Sequence, residues 1–185
     1  MHPITAFYCH EGTDHKGRTL KQIWNFSDLE LEKTHDYIQW LFPTTVQSQF
    51  NFDAPILTSE SICEFLESEE AVANLITSSF IFQRFLKLDD EVPFWVKKNG
   101  GRDNHNCFNH NCLRISRVIA SLGALEQTNR ADSFYKAVLE VYMQHNPSPI
   151  YHWQHAQDTY CEYPETVLAD SINNYVNLID WINKK

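Results

Sequence analysis

The chain has 185 residues, 43% hydrophobic and 21% charged, enough for one domain with a real core and short for two. Its formal charge of −9, from 15 basic and 24 acidic side chains, opposes generic binding to nucleic acid or to an anionic membrane, because the mean field repels phosphate. With 5 glycines and no G-x-G-x-x-G or G-x-x-x-x-G-K run, a glycine-rich phosphate loop is not expected either.

The opening stretch MHPITAFYCHEG has no basic segment leading into an apolar run, so no secretory signal is read there. After the Phe7-Tyr8 pair and a polar loop holding Gly12 and Gly17, Leu20, Ile23 and Trp24 are spaced for a short helix. Ser27 and Glu30 read as a capping box, and a helical stretch follows to Leu41, with a break expected near Thr34. Pro43, Thr44 and Thr45 stop it. Residues 43–57 form a loop apolar enough to pack onto the body. Thr58 or Ser59 caps a helix over 59–67, with Ile62, Phe65 and Leu66 inward.

Ser68 caps a longer helix over 69–88. Val72, Leu75, Ile76 and Phe80 give it an apolar stripe, and its second half is apolar nearly all round, as a central buried helix would be. A polar loop is expected over 89–106. Next comes a helix over about 107–124, with Ile115, Val118, Ile119 and Leu122 inward and Gly123 placed to end it. A helix over 129–145 uses Phe134, Ala137, Val138, Val141 and Tyr142. A short helix from Pro149 to about Gln157 and a last one from Pro164 to Asn183 complete an all-α, single-domain, irregular bundle of about seven or eight helices. The most apolar run, SSFIFQRFLKL, is interrupted by Gln83 and Arg84 and is too short to span a bilayer. A soluble, cytoplasmic protein with reduced thiols is expected, since five scattered cysteines do not make a disulfide framework.

Four groupings of side chains can carry chemistry. His105, Cys107, His110 and Cys112 are metal-competent, but C-x2-H-x-C matches no ordinary zinc spacing, and packed thiols beside solvated histidines are the plainer reading. His152 and His155 share a helix face with Asp158, a spacing that suits metal ligands, but there is no H-E-x-x-H and helical His pairs are more often surface or interface residues. His110, Arg114, Arg117 and Ser121, with Asn111 alongside, form a polar stripe. On pattern alone it is a solvated face, yet two arginines a turn apart also suit a carboxylate or other anion. His35 and Gln39, four apart within HDYIQWLFP, either tie helices together or belong to a site. Nucleophilic catalysis finds no G-x-S-x-G to stand on.

Two blocks, LELEKTHDYIQWLFP and HNCLRISRVIASLGALE, together resemble the conserved amino-terminal region of the opioid growth factor receptor family. The first supplies His35, Tyr37, Ile38, Gln39, Trp40, Leu41, Phe42 and Pro43. The second supplies His110, Asn111, Leu113, Arg114, Ile115, Arg117, Ser121 and Leu122. The runs FYCHEGTDHKGRTLKQI and NFDAPILTSESICEF are similar to smaller family segments. Ser116 stands where the family pattern has Thr and Cys112 where it has Asn, which sets the thiol outside the shared motif. The resemblance covers residues 5–145 and leaves 146–185 as a helical extension, as in a stand-alone short form of the domain.

That resemblance implies a receptor-like domain binding a small anionic ligand or a peptide, with no cofactor, no metal and no catalytic residues to carry over. It also implies that the polar residues of the two blocks belong to one cleft. Arg114 and Arg117 would hold an anionic or carbonyl group, and His35 and His110 would bond it or move a proton. Gln39 and Asn111 would line it, and Tyr37 and Trp40 would wall it. The alternatives are a small enzyme with His35 or His110 as acid or base, and a protein-interaction scaffold.

Overall fold

The computed structural model describes residues 1–48, 50–90, 93, 110–145 and 156–157, with backbone alone over 142–145. Among them lie eight helices: α1 (Pro3–Tyr8), α2 (Leu20–Trp24), α3 (Asp28–Lys33), α4 (Ile38–Leu41), α5 (Ser59–Leu66), α6 (Glu69–Phe85), α7 (His110–Ala124) and α8 (Thr128–His145). No strand occurs among the described residues. The expected helices over 149–157 and 164–183 lie outside them, apart from Ala156 and Gln157.

Local chemistry starts most of these helices. Thr19 with Gln22, Ser27 with Glu30 and Thr58 with Ser61 each form a capping box, so two otherwise orphaned backbone N–H groups are satisfied at each start. Ser68 caps α6 by accepting from Ala71 N–H. Helix α1 was not anticipated. It is six residues long; Ile4, Phe7 and Tyr8 are spaced i, i+3, i+4 and buried, Pro3 sits at its first position and His2 caps it.

The expected break near Thr34 is present. Helix α3 ends at Lys33 and α4 begins at Ile38, so the two meet at a bend. The loop after α4 packs down as anticipated: Thr44, Ser48, Asn51, Ala54 and Leu57 are buried, whereas Phe50 and Phe52 are exposed. It is tied down by Leu57 N–H donating to the Thr44 carbonyl (2.9 Å) and by the Asn51 side chain donating to the Asp36 carbonyl (2.9 Å).

Two expectations for the longer helices need correction. Phe80 does not join the inward stripe of α6; it is 55% exposed, with the Arg130 guanidinium 3.8 Å from its ring centroid. The face turned inward is Leu75, Ser78, Ser79, Phe82 and Phe85. The two serines can be buried there because each finds partners. Ser78 accepts from the Trp24 indole (2.9 Å) and donates to the Asn74 carbonyl (2.8 Å), and Ser79 accepts from Arg130 Nε (2.7 Å). Gly123 does not end α7 either. Glu126 takes the left-handed conformation (φ 57°), and Gln127 N–H reaches back to the Leu122 carbonyl (2.7 Å) while Glu126 N–H bonds Gly123 (3.0 Å). This is a Schellman closure with a glutamate where glycine is usual.

Helix α1 packs against α5 and α6, and α7 against α8. One contiguous core joins them. Aromatic rings carry much of it: Phe7 lies edge-on to Trp40 (5.6 Å), Tyr8 to Phe65 (5.2 Å), and Phe42 to Phe82 (5.8 Å). Phe82 also meets Phe134 of α8 (6.5 Å), so one side chain links the end of α4, α6 and α8.

Candidate functional site

Helix α7 lies across the ends of α3 and α4, and its polar stripe turns towards them, with His110 and Arg117 half-buried and Arg114 buried. Asn111 is fully buried and Arg114 is 4% exposed. Arg114 Nη1 donates to the Leu31 carbonyl (2.9 Å) and to Asn111 Oδ1 (3.1 Å). Its Nη2 donates to the carbonyls of Thr34 (2.9 Å) and Glu32 (3.4 Å), and lies 3.2 Å from His35 Nδ1. These carbonyls belong to the last turn and cap of α3, where a helix leaves acceptors without partners and concentrates negative partial charge. Arg114 is therefore the C-terminal cap of α3, supplied from a helix 80 residues away in sequence. Arg117 does the same for α4, donating to the Phe42 carbonyl at its C-terminal cap (3.0 Å).

Charge within this knot is balanced. Glu32 accepts from Asn111 Nδ2 (3.0 Å) and lies 3.2 Å from His110 Nε2. Burial pulls the Arg114 guanidinium below its ordinary value, with Tyr37 and Glu32 pulling the other way; an arginine stays cationic through such a shift. A guanidinium can only donate, so His35 must accept at Nδ1, which puts the proton of the neutral ring on Nε2. The His35 and His110 rings meet edge to face at 5.1 Å. Burial lowers the pKa of His110, the Arg114 charge adds to this, and the Glu32 carboxylate opposes it.

Beside the knot lies a cavity of about 220 Å³. The first block contributes His35, Ile38 and Gln39; α7 contributes His110, Leu113, Arg114, Arg117 and Ala120. The loop after α4 closes it with Thr44, Val46, Gln47, Ser48 and Phe50. Gln39 is 5% exposed; its Nε2 is 3.3 Å from Ser48 Oγ, and its Oε1 has no partner.

Five residues singled out from sequence thus share one cavity: His35, Gln39, His110, Arg114 and Arg117. Asn111 stands behind it, bonded to Glu32 and Arg114. Trp40 and Tyr37 do not line it. Trp40 is a core residue between Phe7 and the stacked ring of His15, and Tyr37 is buried with its hydroxyl donating to the Leu31 carbonyl (3.2 Å). Their aromatic character marked packing, which spacing alone does not separate from lining. The residues not anticipated are Glu32 and the loop positions. Glu32 is three residues before His35 in the quoted block; the apolar character of the loop was the only sign that it would close over anything. Metal-competent groups of three or more are absent among the described residues. Cys112 is packed, its thiol pushed up to about 11 by burial. His105, Cys107, His152 and His155 lie outside the described residues.

The fold and this knot define an all-α domain in which two sequence blocks are locked together by arginine caps around one cavity. Residues 7–152 match the family model of the opioid growth factor receptor (OGFr) conserved region, and the chain belongs to that family. Opioid growth factor receptor-like protein 1 of Xenopus tropicalis is 36% identical over 131 residues, covering 68% of this chain and 25% of the relative. Its Mus musculus counterpart is 31% identical over 131 residues, covering 68% of this chain and 28% of the relative. The opioid growth factor receptor of Homo sapiens is 33% identical over 112 residues, covering 57% of this chain and 16% of the relative. The chain thus spans roughly a quarter of the length of the receptor-like relatives it matches. No solved structure matches it. No helix among the described residues is long and apolar enough to cross a membrane.

Proposed function

We propose that this domain binds a small ligand, or one side chain of a peptide, in the cavity between the two blocks. The ligand's anionic or carbonyl group would be held by the wall carrying His35, Gln39, His110 and the arginines. The observation that supports this most directly is that both blocks, distant in sequence, place their polar residues around the same cavity of about 220 Å³. Concave sites with an apolar lining and a few convergent polar groups are the ordinary form of a ligand pocket. Here Ile38, Val46, Leu113 and Ala120 supply the apolar surface. The relatives' name, opioid growth factor receptor, speaks of ligand recognition by those proteins; the same class of role for this chain rests on the shared blocks. Arg114 and Asn111 would act by holding the wall in place, since their bonds run to α3 and to Glu32.

An acid–base role for His35 or His110 is the second reading. One feature favours it for His110: its Nε2 lies 3.2 Å from the Glu32 carboxylate, the kind of partner that orients a catalytic imidazole.

The test is ligand-observed NMR with a fragment library, run on the wild type and on Val46→Trp, which fills the cavity from its loop side. Fragments that bind the wild type and are lost in the filled variant support the site. Fragments that bind both equally place recognition elsewhere, and no binding to either removes the reading.

A further inference from the structure

The loop after α4 is held in shape, yet it turns large apolar side chains to solvent. Phe50 is 73% exposed and Phe52 75%, on either side of the buried Asn51. Their backbone is fixed on several sides. Ser48 Oγ accepts from the N–H groups of Phe50 (3.1 Å) and Asn51 (3.2 Å). Asn51 Oδ1 accepts from Asp53 N–H (3.2 Å), and Gln47 Nε2 donates to the carbonyls of Asn51 (3.3 Å) and Phe52 (3.4 Å). The rings are therefore carried outward on a preformed surface, which lowers the ordering cost of binding. Ile56, on the same loop, is also exposed. The Phe50 and Phe52 rings together expose on the order of 300 Å², a size at which an apolar patch on a monomer is often functional.

This patch reaches beyond the cavity. Phe50 lines the cavity, but Phe52, Asp53 and Ile56 do not. A small molecule filling about 220 Å³ would leave them bare. What covers them has the reach of a protein surface.

Charge gives the sign of that surface. From Thr34 to Gln83 the chain carries seven carboxylates and no Lys or Arg. Asp36 is paired with Arg18 (2.8 Å). Asp53, next to Phe52, and Glu60, in the first turn of α5, are exposed and form no ion pair among the described residues. The arginines of the cavity wall are bonded to carbonyls, and Glu32 balances Arg114, so they do not set this field. With the whole chain at −9, a cationic partner is attracted and a second copy is repelled.

We propose that the surface of Phe50 and Phe52 docks a basic segment of a partner protein. Aromatic or branched aliphatic side chains of that segment lie on the two rings, and a Lys or Arg beside them meets Asp53. This goes beyond the cavity reading and does not depend on it.

The probe is a phage-displayed library of random linear peptides selected on the wild type. Selected peptides should carry net positive charge and at least one aromatic or branched aliphatic residue. The leading peptide is then titrated by calorimetry into the wild type, Phe52→Ser, Asp53→Lys and Val46→Trp. The Phe52 and Asp53 variants change exposed side chains and should melt with the wild type. Phe52→Ser should weaken the peptide about tenfold or more, and Asp53→Lys about threefold, the second effect shrinking as salt is raised. Val46→Trp, which fills the cavity, should leave binding within about threefold. Acidic selected peptides overturn the proposal, as does a peptide that binds Phe52→Ser like the wild type. Loss in Val46→Trp alone places the peptide in the cavity, which supports the ligand reading and overturns this one. A library that yields no binder overturns it too. A dimer in sedimentation that is lost in Phe52→Ser makes the occupant a second copy and likewise overturns the basic partner.

Discussion

Arg114 is a buried charge whose partners are almost all backbone. It bonds the carbonyls of Leu31, Glu32 and Thr34 and the side-chain oxygen of Asn111. Removing it leaves the carbonyls at the end of α3 without donor partners in a dry setting. Arg114→Ala should cost about 2–4 kcal/mol in unfolding free energy, measured by urea denaturation. Arg114→Lys should recover less than half of this, because an ammonium cannot span two sets of carbonyls as the planar fork does. A loss under about 1 kcal/mol would mean that the cap contributes little. The arginine pair was legible in the sequence as two charges a turn apart. Its partners were not, because main-chain carbonyls carry no sequence signature.

Elements end where the chain can satisfy its last carbonyls, and the ends were harder to read than the starts. Ser27, Thr58 and Ser68 cap as their spacing announced. The end of α7 was assigned to Gly123, yet the left-handed position is Glu126, exposed and with φ 57°. A side chain there crowds its own backbone. Glu126→Gly should therefore raise stability by about 0.5–1 kcal/mol, seen as a higher midpoint in thermal or urea unfolding. A drop would show that the glutamate makes compensating contacts. The same limit explains Phe80. Stripe counting on α6 admits it, but Ser78 and Ser79 find hydrogen-bond partners on Asn74, Trp24 and Arg130, and the phenylalanine is left to cover Arg130 from outside.

Across the whole molecule, the knot of Glu32, His35, His110 and Arg114 links stability to pH. Burial, the Arg114 charge and the His35 ring all depress His110, and Glu32 only partly opposes them. A histidine easier to protonate unfolded than folded contributes stability that is fully present above its ordinary value and is lost as pH falls through its folded value. Unfolding free energy should therefore decline as pH drops from 7.5 towards 5.5. Since His2 is depressed as well, the comparison that isolates the knot is His110→Gln, which should flatten the slope over that window. An identical slope in the variant would place the dependence elsewhere.

The all-α class, the capped helix starts, the break near Thr34 and the family itself followed from sequence, because periodicity, capping pairs and a two-block signature are local or literal patterns. The sequence also singled out His35, Gln39, His110, Arg114 and Arg117. Only tertiary structure decided what they are next to. It turned the polar stripe of α7 from a solvated face into one that is half-buried at His110 and Arg117 and buried at Arg114, because α3 and α4 both present open helix ends to it. It moved Trp40 and Tyr37 from the site into the core, and brought the 43–57 loop over the cavity. Burial and the pairing of backbone acceptors depend on residues far apart in the chain, and no spacing within one segment encodes them.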